Sequence, residues 1–193
     1  IDRYVEPQRF FPPYVSPYKG RYNPEIEIYR GYWLISWFKK EFAEKEEQEA
    51  REKGVSAEEL LNRRLAEIPP GCEGLVFQPY FTPGVSMPNA RGSIIGFSDV
   101  HTRIHIYRAI IEGINFALME GMKTLERRMG TETKGVYVAG GGSRSDEICQ
   151  ISADMFGVPV YRIQTYEAAV IGSSMIAFTG IGHFDDLEQA SAS

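Results

Sequence analysis

Cysteine is scarce in this chain: Cys72 and Cys149 are its only two among 193 residues. Two thiols cannot build a disulfide framework or a four-thiolate zinc site. They read as small core residues of a reduced protein. Histidine is nearly as rare, with His101, His105 and His183. The four-residue spacing of His101 and His105 suits one helical face, but the glutamate of an HExxH metal motif is missing. No Ser/His/Asp order suggests a nucleophilic triad. Basic charge is also lacking, with 21 Lys and Arg against 26 Asp and Glu, for a net charge of -5. That argues against nucleic-acid or anionic-membrane partners, whose binders carry basic footprints. No apolar run approaches the roughly 18 residues of a membrane-crossing helix. The opening Ile1-Asp2-Arg3-Tyr4 has neither the basic head nor the apolar middle of a secretory leader, so a cytoplasmic location is expected. An initiator Met is missing too, and a piece of a longer chain is the expectation.

What remains is an ordinary globular composition, 43% hydrophobic and 24% charged. At about 150 residues per domain the length predicts one domain. A chain of this size buries roughly 70% of its unfolded surface, enough for a core.

Residues 1–24 are rich in Pro and aromatics, as in Phe10-Phe11-Pro12-Pro13-Tyr14. Each Pro fixes its own φ and pushes its predecessor out of the helical region, so an extended, irregular segment is expected. From Glu25 the apolar residues Tyr29, Trp33 and Trp37 recur every four positions, which predicts a helix. The Glu/Lys run through Glu49 reads as its solvated continuation, stopped by Gly54. Ser56 followed by Glu59 has the form of a capping box for a second helix to about Glu67, which Pro69-Pro70-Gly71 ends. Leu75–Phe77 and Ser93–Phe97 are strand candidates around a Pro/Gly loop. Thr102 is a candidate cap for a long helix whose apolar face runs Ile106, Ile110, Ile114, Leu118, Met122, Leu125 and which ends near Gly130. A buried strand over 135–139, a helix from Ser145 to Phe156, a strand over 158–161 and a small-residue helix over 167–178 follow, then an exposed tail from Asp185. Strands alternating with helices predict an α/β layered domain.

The most distinctive stretch is Val136-Tyr137-Val138-Ala139-Gly140-Gly141-Gly142-Ser143-Arg144-Ser145. Three glycines after a strand remove every Cβ that would hold a flat ligand off the backbone. The helix start beyond them offers free N–H groups and a positive dipole end. A nucleotide across the strand end is one reading, and a ligand-free tight turn is the other. The stretch is no P-loop, for no GK[ST] follows, and no GxGxxG, because position 145 is Ser.

Gly92, Ile94, Gly96, His105, Ile106, Ala109 and Glu112 sit in a frame that resembles the C-terminal signature of the FGGY carbohydrate kinases. Gly74–Phe81 is similar to that family's strand and Pro-Tyr loop. Val138–Ser145 resembles its adenosine motif, and Tyr166–Ser174 its final helix. Order and spacing hold over 74–180. The helix carrying Trp33 and Trp37 is a looser likeness, and Phe97 is bulkier than the usual aliphatic residue.

The resemblance implies an α/β, ribonuclease H-like domain of the actin-like ATPase fold, with a mixed sheet flanked by helices. It implies the C-terminal, nucleotide-binding half of a two-domain enzyme that transfers the γ-phosphate of ATP to a sugar or polyol, with Mg²⁺. The partner would be the missing N-terminal kinase domain, which holds the catalytic base, so no catalytic residue is assigned here and the chain alone should be inactive. A homodimer is compatible with it. Gly140, Gly141 and Gly142 match the adenine-facing glycines. Ser145 matches a small polar residue that bonds adenine, and is equally a helix cap. Asp146 would meet the exocyclic amine or simply favour the helix start. Ser36 falls near the family's nucleotide. Arg91 and Glu112 have a structural role, as an ion pair. The alternative reading is a non-catalytic nucleotide- or partner-binding module of the same fold.

Overall fold

The computed structural model describes residues 1–8, 11–84 and 87–193, so Phe10 of the Pro/aromatic segment lies outside it. Elsewhere that segment is irregular except for a short antiparallel pair, β1 (Tyr14–Val15) with β2 (Tyr22–Asn23). The Ile1 ammonium donates to the Tyr22 carbonyl at 2.8 Å and ties the chain start to it.

The predicted helix begins later than its apolar stripe suggests. Residues 25–32 are irregular, with Arg30 at φ 65°, and α1 runs Trp33–Phe42. Pro24 lies just upstream, and the turn Gly31 N–H to Ile28 carbonyl at 3.2 Å uses backbone groups that a helix would need otherwise. A second correction follows at Ala43, fully buried at φ -121°, where the helix breaks before α2 (Glu44–Lys53). The break points α2 back toward the core, so that Glu46, only 4% exposed, meets Arg103. Gly54 closes α2 in the left-handed region at φ 66°, where a Cβ would be strained. Ser56 caps α3 (Ala57–Arg63) through the Glu59 N–H at 3.1 Å.

The body of the fold is α4 (Arg103–Met129) laid across β3 (Val76–Gln78). β3 pairs antiparallel with β4 (Ser93–Ile95). Helix and strand approach so closely that a Cβ on Gly113 would stand 2.3 Å from the Phe77 carbonyl oxygen. Leu34, Ile35 and Phe38 of α1, Leu61 of α3, Phe77 of β3 and Ile104, Tyr107, Ile110, Ile111 and Ile114 of α4 make one core. Full burial of each such side chain is worth about 1.5–3 kcal/mol. The apolar stripe predicted for α4 is therefore correct in its first half only. Leu118 is 36% exposed, and near the middle of the helix burial extends around to Asn115.

Beside this core lie β5 (Val136–Val138) and β6 (Val160–Arg162), a parallel pair connected through α5 (Asp146–Phe156). β5 was expected to be buried; it is not, with Tyr137 74% exposed and stacked on Tyr161 at 5.1 Å. Helix α6 (Ala168–Gly180) follows. The expected loose tail holds a short helix, α7 (Leu187–Ala192), capped by Asp186 accepting from the Gln189 N–H at 2.8 Å. Among the described residues the strands associate in pairs, two antiparallel and one parallel.

The turn before β3 has the wrong hand for most residues. Gly71, Cys72, Glu73 and Gly74 take φ of 81°, 49°, 53° and 93°. Three side chains of the α4 region clasp it. Glu112 accepts from the Gly71 N–H at 3.1 Å. His101 Nδ1 accepts from the Ser98 N–H at 2.8 Å, so its Nε2–H faces the Cys72 carbonyl at 3.0 Å. His105 likewise accepts from the Thr102 N–H and points Nε2 at the Glu73 carboxylate, 3.1 Å away. The two histidines thus cap a helix and hold a turn. Glu112 pairs with Arg108 at 2.7 Å, not with Arg91, which is exposed and bonds the neighbouring Ala90 carbonyl. Both Arg108 and Glu112 are buried, and two residues one helical turn apart can meet where 91 and 112 do not.

Candidate nucleotide-binding site

Strand β5 ends at Val138, and Gly140 turns the chain with φ 82° and ψ -171°, a conformation open only to glycine. Residues 141–144 form one turn of 3₁₀ helix, and Ser145 then starts α5. The turn is pinned from three sides. The Gly140 N–H donates to the Tyr166 carbonyl at 3.2 Å, the Ser143 hydroxyl donates back to the Gly140 carbonyl at 2.7 Å, and Arg144 lies over the Tyr166 ring at 4.7 Å.

A cavity of about 740 Å³ opens between this turn and helix α3. Gly141, Gly142, Arg144, Ser145, Asp146, Glu147 and Ile148 form one wall. Ser56, Glu58, Glu59, Asn62 and Arg63 form the other, and Tyr32, Ile35, Ser36 and Tyr107 close the floor between them. Five of the predicted residues, Ser36, Gly141, Gly142, Ser145 and Asp146, therefore border one space. Gly140 is not part of its lining and serves as the turn. A Cβ on Gly141 would meet nothing within 4 Å, so its backbone lies open to the cavity. At Gly142 a Cβ would come within 2.9 Å of the Tyr32 ring. This is the one glycine of the three whose missing side chain makes room for protein.

Ser145 is the N-cap of α5. Its hydroxyl accepts from the Ile148 N–H at 3.2 Å and donates to Glu147 Oε2 at 2.7 Å. Asp146 is exposed and paired with Arg162, so its carboxylate already has a cation. Tyr107 is fully buried and donates to Asn62 Oδ1 at 2.7 Å. Burial raises the Tyr107 phenol, and the carboxylates of Glu58 add to the effect. Tyr32 presents a partly exposed ring to the cavity. Burial, then the neighbouring Cys149 thiol, push its hydroxyl up to about 12, with Ser152 acting the other way. Both phenols are therefore neutral donors near pH 7.

The volume fits a nucleoside, within the roughly 300–1,000 Å³ of ordinary ligand sites. The apolar side chains of Ile35 on its floor and Ile148 on its wall suit a base, and the open Gly141 backbone suits close approach. Among the described residues no three His, Cys, Asp or Glu side chains come together as a metal site. The whole α3 wall, with Tyr32 and Glu147, escaped the sequence reading. Signals existed for two of these: Tyr32 is one helical turn before Ser36, and Asn62 interrupts the apolar pair Leu60-Leu61.

Comparison with known proteins identifies the family and the fold. Xylulose kinase of Bacillus subtilis is 36% identical over 172 residues, covering 87% of this chain and 32% of that protein. An uncharacterized sugar kinase of Escherichia coli, YgcE, is 32% identical over 173 residues, 86% of this chain and 35% of that protein. The chain thus spans about a third of the length of these curated relatives. The crystal structure of xylulose kinase from Rhodospirillum rubrum superimposes with a TM-score of 0.66 at 29% identity, over 83% of this chain and 31% of that one. The model for the C-terminal domain of the FGGY family of carbohydrate kinases matches residues 6–181. With the glycine turn, the signature around Glu112 and the fold all in agreement, the chain belongs to the FGGY carbohydrate kinases, as their C-terminal domain.

Proposed function

We propose that this domain binds the adenine nucleotide of an ATP-dependent carbohydrate kinase. The reaction of the whole enzyme is phosphoryl transfer from ATP to a hydroxyl of a sugar or polyol. The observation that carries the reading is the cavity between the glycine turn and α3, with Gly141 bare toward it. In it the base lies between the Gly141–Gly142 backbone and the α3 wall, Ile35 and Ile148 give it an apolar bed, and Ser145 and Asp146 meet its polar edge. Ser36 and Tyr32 bound the floor. Holding ATP in one orientation is most of what a phosphoryl-transfer enzyme contributes, and a cleft with a bare glycine turn on one side and a helix on the other supports that role.

Mg²⁺ would accompany the phosphates and neutralise charge there. No residue of this chain is assigned to it. No carboxylate of the cavity is assigned as base for the sugar hydroxyl; that base belongs to the part of the enzyme beyond the matched third. The names of the relatives, xylulose kinase among them, support a sugar or polyol as the substrate class.

Titration calorimetry with ATP tests the reading. Weak binding by the chain is expected, abolished by Gly141→Trp, which fills the bare space over the turn. Equal binding by both proteins refutes the site. Phosphorylation of any sugar by this polypeptide alone would refute the placing of the base elsewhere.

A further inference from the structure

Ser145 has one hydrogen to donate and two lone pairs to offer. Glu147 takes the hydrogen at 2.7 Å, and the Ile148 N–H takes one lone pair at 3.2 Å. Ser145 is only 7% exposed, so its hydroxyl turns little, and these two bonds fix the turn it has. A single lone pair is left, on a residue that borders the cavity. Toward a ligand this serine is therefore an acceptor and nothing else. Without Glu147 it would be ambivalent, as a free hydroxyl rotates to donate or accept as its partner requires.

We propose that Glu147 is a positioning residue that sets the base preference of the site: by holding the Ser145 hydrogen it makes the cavity favour a 6-aminopurine over a 6-oxopurine nucleotide. The inference rests on the nucleotide reading above. A 6-amino group donates into the remaining lone pair of Ser145. A 6-oxo group brings a second lone pair to the same place, leaving two acceptors facing each other with no hydrogen between them. Such a mismatch at the buried Ser145 hydroxyl is costly, because a group left unpaired there has also lost its water. Glu147 itself borders the cavity, and its carboxylate, like those of Glu58, Glu59 and Asp146, adds only further acceptors to the rim. The lining side chains that can donate, Tyr32, Ser36, Ser56, Asn62, Arg63 and Arg144, belong to the floor, to the α3 wall and to the turn before Ser145.

The test compares ATP with ITP, which share ribose and triphosphate and differ at the 6-position and its N1 proton. Dissociation constants are measured calorimetrically for the chain and for Glu147→Ala, Glu147→Gln and Ser145→Ala, with circular dichroism to confirm that each is folded. The unmodified chain is expected to prefer ATP by about tenfold. Glu147→Ala frees the hydroxyl hydrogen and brings the ratio close to one, mainly by tightening ITP. Glu147→Gln keeps an amide oxygen that accepts from Ser145 and so keeps the preference. Ser145→Ala loses it. A ratio unchanged by Glu147→Ala overturns the inference, as does one unchanged by Ser145→Ala or a ratio of one in the unmodified chain. Binding of neither nucleotide by the unmodified chain overturns the nucleotide reading itself and this inference with it.

Discussion

Helices α1 and α6 invite comparison, for they are of similar length and opposite habit. Helix α1 has 10 residues, turns Leu34, Ile35 and Phe38 inward and leaves Lys39 and Lys40 in its last turn. Helix α6 has 13 residues and no charge at all, yet buries none of them. Its Val170 is 59% exposed and its Ile176 48%. A charged stripe tells a helix which side faces water, and α6 has no such stripe. The difference extends to the regions they belong to. From α1 to the middle of α4 the chain has a dense core; from β5 onward Ile148, Ile151, Ser152 and Ala190 are among the few well-buried residues. Stability is concentrated in the first region, and the candidate nucleotide site lies where the second leans on it through α5.

That comparison can be broken by measurement. The largest effect is expected in the buried ion pair. Glu112→Ala leaves Arg108 without its partner at 8% exposure and should cost about 3–5 kcal/mol in denaturant unfolding. A cost below about 1 kcal/mol would mean that the first region is not the stabilising one. Next comes Gly113→Ala, whose methyl would strike the Phe77 carbonyl at 2.3 Å and force α4 off β3. About 1–3 kcal/mol is expected from the same measurement, and no loss would show the contact to be yielding.

Acid should act through Glu46. Burial alone would raise its carboxyl, but the Arg103 hydrogen bond and the charges of Arg103 and Arg64 outweigh this and hold it below 4.5. A depressed carboxyl contributes stability that is full above about pH 4.5 and is lost as pH falls through its lower folded value. Glu46→Gln should therefore make stability less sensitive to acid across that range, as thermal melts at successive pH values would show. An unaltered acid profile would remove Glu46 from the account. The smallest effect belongs to α6: Ile176→Ala should change stability by no more than about 0.5 kcal/mol. A loss comparable to that of Glu112→Ala would erase the contrast between the two regions.

Much of this was legible in the sequence because local rules decided it. Ser56, Ser145 and Gly54 act where their positions predict, since capping is settled within a few residues. The glycine turn was legible for the same reason, and so was the family, through motifs of fixed spacing. What escaped depended on contacts distant in the chain. The stripe of Tyr29, Trp33 and Trp37 has the right period, yet the helix waits until Trp33 because the Ile28–Gly31 turn, with Arg30 at φ 65°, interrupts it and Tyr29 and Trp33 are left exposed. Periodicity foretold the face of α4 only while neighbours lay along it. The α3 wall of the cavity comes from residues about 80 positions before the glycines, and no spacing rule joins them. Glu147 was passed over because its role is to act on another side chain.

The four-residue turn from Gly71 to Gly74 bears on the order in which this protein assembles. Two of its residues carry side chains in a backbone region that L-residues avoid, at roughly 1–2 kcal/mol each. An isolated stretch of chain would not rest there. The turn is held by His101, just before α4, and by His105 and Glu112 on α4, a helix that begins about 30 residues later. Substitutions at Cys72 and Glu73 are therefore expected to speed unfolding more than they slow folding, as the two limbs of a chevron plot would show.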